Sequence, residues 1–198
     1  MRLFLCSAGL GALPDFLSAA GDVLYVPTAA KPMPDEGSAE ENRQILERFG
    51  HRIVELDLDG ADDLSALDDV DAVFVEGGSP FFLLQAMRES GFDRAVTEAA
   101  RGGLPYIGMS AGAVVAGPDL EPLSTTSNTA LGPRLVSTEG LGLVESVVFP
   151  HFNSPERAEQ FVEVRKQFGD RFDLLPLADD QALIVDDEGT RIVPSLKG

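Results

Sequence analysis

Gly108-Met109-Ser110-Ala111-Gly112 lies between a short apolar run, residues 104–107, and a run of small residues, 113–116. A serine hydroxyl is a weak nucleophile, so a serine that does chemistry must stand exposed at a tight turn beside a base and amide donors. This stretch has that form of strand, sharp turn and helix, with Gly108 and Gly112 where a Cβ would collide with neighbouring backbone. The helix that starts there brings free N–H groups and its positive end, both of which favour an oxyanion. A serine in front of a helix is also an ordinary N-cap. The strand before and the helix after favour Ser110 as a nucleophile over that simpler role.

A serine nucleophile needs a base, and the chain has two histidines, His51 and His151. His51 follows a helix C-terminus, where an imidazole interacts with the last carbonyls. His151, in Phe149-Pro150-His151-Phe152-Asn153, stands just past a strand end, on the sheet edge expected to carry Ser110, and is the candidate base. An acid within Ala178-Asp179-Asp180-Gln181 could orient its imidazole. Gly77-Gly78 ends a buried strand directly before a helix, one β-α unit ahead of the elbow. Alone it reads equally well as a tight turn. Together with the elbow, Gly78 N–H and Ala111 N–H become the expected oxyanion donors.

The elements that must position these groups alternate along the chain. Apolar runs at 3–7 and 22–27 are continuous, as buried parallel strands are. Further strands are read at 52–57, 72–76, 144–149, 173–177 and 182–185, the last turning through Asp186-Asp187-Glu188-Gly189-Thr190 into a hairpin partner at 191–193. Helices are read at 38–49, with Ser38 and Glu41 as a capping box, at 81–90, at 92–101, and at 154–168, with Ser154 as N-cap and Pro155 at the first helical position. Such alternation implies an α/β fold with a mainly parallel sheet. Gly9-Leu10-Gly11-Ala12-Leu13-Pro14 lacks the third glycine of a dinucleotide loop and reads as a simple turn. Residues 117–142, rich in Ser, Thr, Pro and Gly and without periodicity, are expected to form a lid or a wall of the site.

Composition bounds the function. The 198 residues suit a single domain, 1–198, with an ample core. With 33 Asp and Glu against 15 Lys and Arg, the net charge of -18 repels phosphate backbones, so no nucleic acid partner is expected. The acidic residues between 59 and 71 have no metal-loop spacing and read as a solvated face. One cysteine, Cys6, in the first strand, excludes an internal disulfide and reads as a core residue. No stretch is long enough to span a bilayer, and the first apolar run is too short for a signal peptide. A cytoplasmic location without membrane contact is expected.

Gly77-Gly78, Gly108-Met109-Ser110-Ala111-Gly112-Ala113, Pro150-His151-Phe152 and Asp179-Asp180-Gln181-Ala182 together resemble the peptidase E family of serine peptidases. That family groups aspartyl dipeptidases with cyanophycinases and is similar to class I glutamine amidotransferase domains. The Ser…His…acid order differs from the Ser…acid…His order of α/β-hydrolases. The resemblance implies a flavodoxin-like three-layer α/β/α sandwich, Ser110 as nucleophile, His151 as base, and a third, acidic member that falls on Asp179, with Asp180 as the alternative. It also implies that Arg165, on the helix after the histidine, grips the carboxylate of an N-terminal aspartate. The resemblance also implies Ser79 as a substrate contact; it stands where the family often has Asn, and Glu76 replaces the usual extra glycine, so substrate specificity departs from the family's pattern.

These roles imply hydrolysis of small peptides, foremost dipeptides with an N-terminal aspartate, through an acyl-enzyme and without metal or organic cofactor. The alternatives are a catalytically silent amidotransferase-like binding module, a cyanophycinase-like enzyme, and another amide or ester hydrolase using the same triad.

Overall fold

The structure, a computed structural model, describes residues 1–33 and 38–197; the side chain of Ser38, and with it the capping box, lies outside the described residues. Nine strands are described: β1 Leu3–Cys6, β2 Asp22–Val26, β3 Arg52–Glu55, β4 Ala72–Val75, β5 Tyr106–Met109, β6 Val147–Pro150, β7 Leu174–Leu177, β8 Gln181–Asp186 and β9 Gly189–Pro194. The α-helices are α1 Leu13–Leu17, α2 Ser38–Arg48, α3 Pro80–Ser90, α4 Phe92–Arg101, α5 Ala111–Val115 and α6 Pro155–Phe168.

Seven strands form one sheet in the order β3-β2-β4-β5-β1-β8-β9. The first five run parallel, and β8 and β9 join antiparallel. The central strands β1, β4 and β5 are buried along their whole length, which explains why their sequences are continuously apolar rather than alternating. Their side chains nevertheless alternate between two cores. Leu3, Leu5, Val73 and Val75 pack on the face covered by α3 to α6, among Phe81, Leu84, Phe92, Val114 and Phe161. Phe4, Cys6, Phe74 and Ile107 pack on the other face, against Phe16 of α1 and Ile45 and Leu46 of α2. Each such aliphatic or aromatic side chain contributes about 1.5–3 kcal/mol when fully buried. The result is a three-layer α/β/α arrangement with a mostly parallel sheet. Among the described residues no helix is long and apolar enough to cross a membrane.

Three local readings are corrected. The strands around residues 144–149 and 173–177 do not extend the main sheet but pair with each other, β6 with β7, as a separate two-stranded parallel sheet. The place beside β1 is already taken by β8, which pairs Leu3 with Val185 and Cys6 with Ala182. The segment after Gly9 is more than a turn: it leads into α1, with Pro14 in the first turn and Ser18 in left-handed conformation at its end. Residues 117–142 contain two 3-10 turns, Glu121–Thr125 and Thr129–Leu131, and brace the helical layer. Arg134 pairs with Glu89 of α3 at 2.7 Å, and Glu121 with Arg171 just beyond α6 at 2.6 Å.

The C-terminal ends of β1, β4 and β5 lie side by side. Ser7, Glu76-Gly77-Gly78 and Ser110 follow these ends directly, at the edge where parallel α/β sheets place their ligands.

Candidate active site

Strand β5 stops at Met109, and α5 starts at Ala111, so the chain reverses through one residue. That residue, Ser110, has φ 47° and ψ -103°, a conformation costing on the order of 1–3 kcal/mol for a side chain other than glycine. The fold holds it there. Ser110 N–H donates to Cys6 O at 2.9 Å, and the Tyr106 hydroxyl donates to Gly112 O at 2.7 Å. A Cβ on Gly108 would lie 2.5 Å from Gly112 O, and one on Gly112 2.2 Å from Val75 O. Only glycine permits that approach of strand and helix.

Ser110 Oγ is 3.0 Å from His151 Nε2, and His151 Nδ1 is 2.6 Å from Asp179 Oδ1. The carboxylate accepts from Nδ1–H, which leaves the Nε2 lone pair facing the serine hydroxyl. His151 does not come from the main sheet; it follows β6, with φ 64°, and its N–H donates to Ser7 Oγ at 2.7 Å. Asp179 lies in the turn between β7 and β8. Its Oδ1 accepts from the Ser7 hydroxyl at 2.7 Å, and its N–H donates to Asn153 Oδ1 at 3.1 Å. Partial burial pushes the Asp179 carboxyl upward, but the hydrogen bonds from Ser7 and His151, with the charges of His151 and Lys197, outweigh it and hold it below the usual carboxylate range. Asp180, the alternative acid, is exposed, and its carbonyl accepts from Ser195 N–H.

Gly78 has φ 139°, and a Cβ there would lie 2.1 Å from Ala29 O. A Cβ on Gly77 would come 3.2 Å from Ser110 Cβ, so this loop runs directly against the elbow. Among the described residues, Gly78 N–H and Ala111 N–H donate to no acceptor. An oxyanion beside Ser110 would need two such free donors.

A cleft of about 700 Å³ opens over Ser110, His151 and Asp179. Its walls come from Tyr25, Glu76, Met109, the first turns of α2 and, near the chain end, Lys197. Of the cations here, Arg43 is engaged by Glu40 at 2.7 Å and Glu47 at 2.5 Å. Two sequence-derived contacts are absent from the cleft. Arg165 is exposed in the last turn of α6, roughly 16 Å along the helix from its Ser154 cap, and lines a separate surface depression with Arg171 and Asp173. Ser79 is buried, and its hydroxyl caps α3 by accepting from Phe82 N–H at 3.3 Å. No residue of 117–142 lines the cleft. The His51 ring accepts from Gly21 N–H at 3.3 Å instead of meeting the helix carbonyls. Ser7 was not foreseen, since a single serine after a strand carries no signal; Glu76 had one, an acid in place of glycine.

Among the described residues, no three His, Cys, Asp or Glu side chains are grouped to hold a metal ion.

An α/β sandwich with a serine at a strained elbow, hydrogen-bonded to a histidine and through it to a carboxylate, belongs to the class of serine hydrolases in architecture. The sequence model of peptidase family S51 matches residues 9–193, and the chain belongs to that family of serine peptidases. It is 28% identical over 195 residues to an uncharacterized peptidase of Listeria innocua, covering 94% of this chain and 93% of that one. It is 44% identical over 98 residues to peptidase E of Streptomyces coelicolor, covering 50% of this chain and 39% of that one. The crystal structure of a Listeria monocytogenes protein assigned to peptidase E superimposes with a TM-score of 0.87 at 27% identity, covering 98% of both chains.

Proposed function

We propose that this serine peptidase cleaves short peptides through Ser110 as nucleophile, His151 as general base and acid, and Asp179 as the group that orients the imidazole. Ser110 Oγ attacks the peptide carbonyl while His151 Nε2 takes its proton. The tetrahedral oxyanion sits on Gly78 N–H and Ala111 N–H, and His151 then protonates the leaving amine. Water repeats the sequence on the acyl-enzyme and restores Ser110. The observation that carries this reading is the continuous chain Ser110 Oγ, His151 Nε2, His151 Nδ1, Asp179 Oδ1, with its 3.0 Å and 2.6 Å contacts.

The cleft volume of about 700 Å³ is within the usual range for small-ligand sites and suits a dipeptide or tripeptide. The resemblance to aspartyl dipeptidases favours an N-terminal aspartate. With Arg165 outside the cleft, the Lys and Arg side chains among the described residues that line it, and so face a substrate carboxylate, are Lys197 and Arg43.

The test is hydrolysis of Asp-Leu, Ala-Leu and β-Asp-Arg by the wild-type protein and by Ser110→Ala. Cleavage lost in Ser110→Ala supports the mechanism, and the preferred peptide fixes the specificity. If none is cleaved and a fluorophosphonate fails to modify Ser110, a silent binding module of this fold takes its place.

A further inference from the structure

Glu76 is the buried acid that the mechanism above leaves unused. It is 2% exposed, directly precedes Gly77-Gly78, and stands at the end of β4 where the resembling family has glycine. Its Oε1 accepts from Gly77 N–H at 2.7 Å and from Asn42 Nδ2 at 3.0 Å. Its Oε2 lies 2.6 Å from Tyr25 Oη. Tyr25 Oη in turn lies 2.6 Å from Ala39 O.

Counting protons along this chain decides its state. A phenol has one proton, and a backbone carbonyl only accepts. Two contacts of 2.6 Å at one phenol oxygen therefore need a second proton, and the only other atom able to carry it is Glu76 Oε2. Tyr25 donates to Ala39 O, and Glu76 donates to Tyr25. The surroundings agree. The partners of the carboxyl are Tyr25, Asn42 and Gly77, with no cation among them. The titratable groups around this cluster are Cys6 of β1, Tyr25 of β2, Glu55 of β3, and Glu40 and Arg43 of α2; the guanidinium of Arg43 is paired with Glu40 and Glu47 rather than with Glu76. Burial pushes the carboxyl up, and outweighs its contacts with Tyr25, Gly77 and Asn42, which favour the ionised form.

We infer that Glu76 is held as a neutral carboxylic acid in the resting enzyme and is the positioning residue of the oxyanion loop. Through Oε1 it fixes the Gly77 peptide, whose Cα packs against Ser110, and so aims the Gly78 N–H that follows. Through Oε2–H and Tyr25 it ties that loop to Ala39 in α2, the wall of the cleft. Asn42, bonded to the same carboxyl, also reaches Met109 Sδ at 3.2 Å, one residue before the nucleophile. As pH rises through the raised pKa, Oε2 loses its proton, Tyr25 must turn its own proton from Ala39 to the carboxylate, and α2 keeps only its Asn42 bonds to the loop acid. The enzyme then loses rate on the alkaline side.

Only the kinetic part of this inference rests on the proposed peptidase mechanism, so the test has two arms. The first is the infrared difference spectrum at neutral pH between wild-type protein and Glu76→Gln, which requires no catalysis. A carboxylic acid C=O band present in wild type and missing in Glu76→Gln is expected; a difference confined to carboxylate bands overturns the inference. The second arm is the rate at which a fluorophosphonate modifies Ser110, measured against pH. The amide of Gln donates to Tyr25 and accepts from Gly77 as the neutral acid does, so Glu76→Gln should react like wild type at neutral pH and lose the alkaline fall. Glu76→Ala should react at least tenfold more slowly, part of the roughly 10²–10³-fold that a lost oxyanion donor costs. A Glu76→Gln variant as slow as Glu76→Ala overturns the positioning role. Should Glu76→Ala not fold, Tyr25→Phe replaces it. That variant removes the acceptor of the acid proton, together with the bond to Ala39 O, and should shift the C=O band; an unmoved band refutes the Glu76 to Tyr25 bond. If wild-type Ser110 is never modified, the mechanism fails, and the infrared arm still decides the state of Glu76.

Discussion

The hydroxyl of Ser7 donates to Asp179 Oδ1 at 2.7 Å, the same oxygen that meets His151 Nδ1. Ser7 Oγ also accepts His151 N–H, so one fully buried side chain at the end of β1 fixes both the acid and the backbone of the base. His151 has a positive φ, a conformation that needs such an anchor. Ser7→Ala removes one charge-assisted hydrogen bond and strands one N–H, for which about 1–3 kcal/mol is typical. In the peptidase mechanism this should appear as a fall in kcat with KM little changed, because Ser7 orients the base and does not hold the substrate. Steady-state kinetics of Ser7→Ala check this, and an unchanged kcat would remove Ser7 from the machinery.

Gly78→Ala tests the oxyanion loop. The added Cβ would lie 2.1 Å from Ala29 O, and φ 139° is strained for any L side chain, so the peptide must rotate. The expected loss in kcat is about 10²–10³-fold, that of one oxyanion donor, with fold retained by circular dichroism. A variant that keeps its rate would show that Gly78 N–H is not a donor in the reaction.

Asp179→Asn keeps the shape of the acid but favours the wrong imidazole tautomer, for which a kcat loss of about 10⁴-fold is the precedent in serine peptidases. Asp180→Asn, on an exposed side chain, should leave kcat alone. The depressed Asp179 carboxyl also sets a sign for stability. Such a group stabilises the folded state above the ordinary carboxylate range, and that contribution is lost as pH falls through its folded value. Acid unfolding of Asp179→Asn should therefore depend less steeply on pH than that of wild type.

Most of this site was legible because its parts obey local rules. The apolar continuity of β1, β4 and β5 follows from burial on both faces, and the elbow glycines follow from the close approach of α5 to β5 at Gly108 and to β4 at Gly112. What sequence could not supply was tertiary pairing. The β8–β9 hairpin occupies the edge of β1, so β6 had to find β7, and His151 reaches Ser110 from outside the main sheet. Ser7 and the proton relay through Tyr25 join residues far apart in the chain, and no local pattern marks them.

The position of Arg165 makes a prediction about specificity. A guanidinium suits a carboxylate by type, but an arginine grips only what it can reach, and α6 carries this one away from the His151 end to its last turn. Arg165→Ala should leave kcat and KM unchanged for any dipeptide that wild type cleaves, Asp-Leu included. Lys197 lines the cleft and acts electrostatically on Asp179, so Lys197→Ala should raise KM for Asp-Leu more than for Ala-Leu if an N-terminal aspartate is read. Parallel kinetics on both peptides separate the cases. A selective KM rise in Arg165→Ala would mean that the helix end reaches the substrate after all. Equal effects of Lys197→Ala on both peptides would mean that the lysine tunes the triad without reading the side chain.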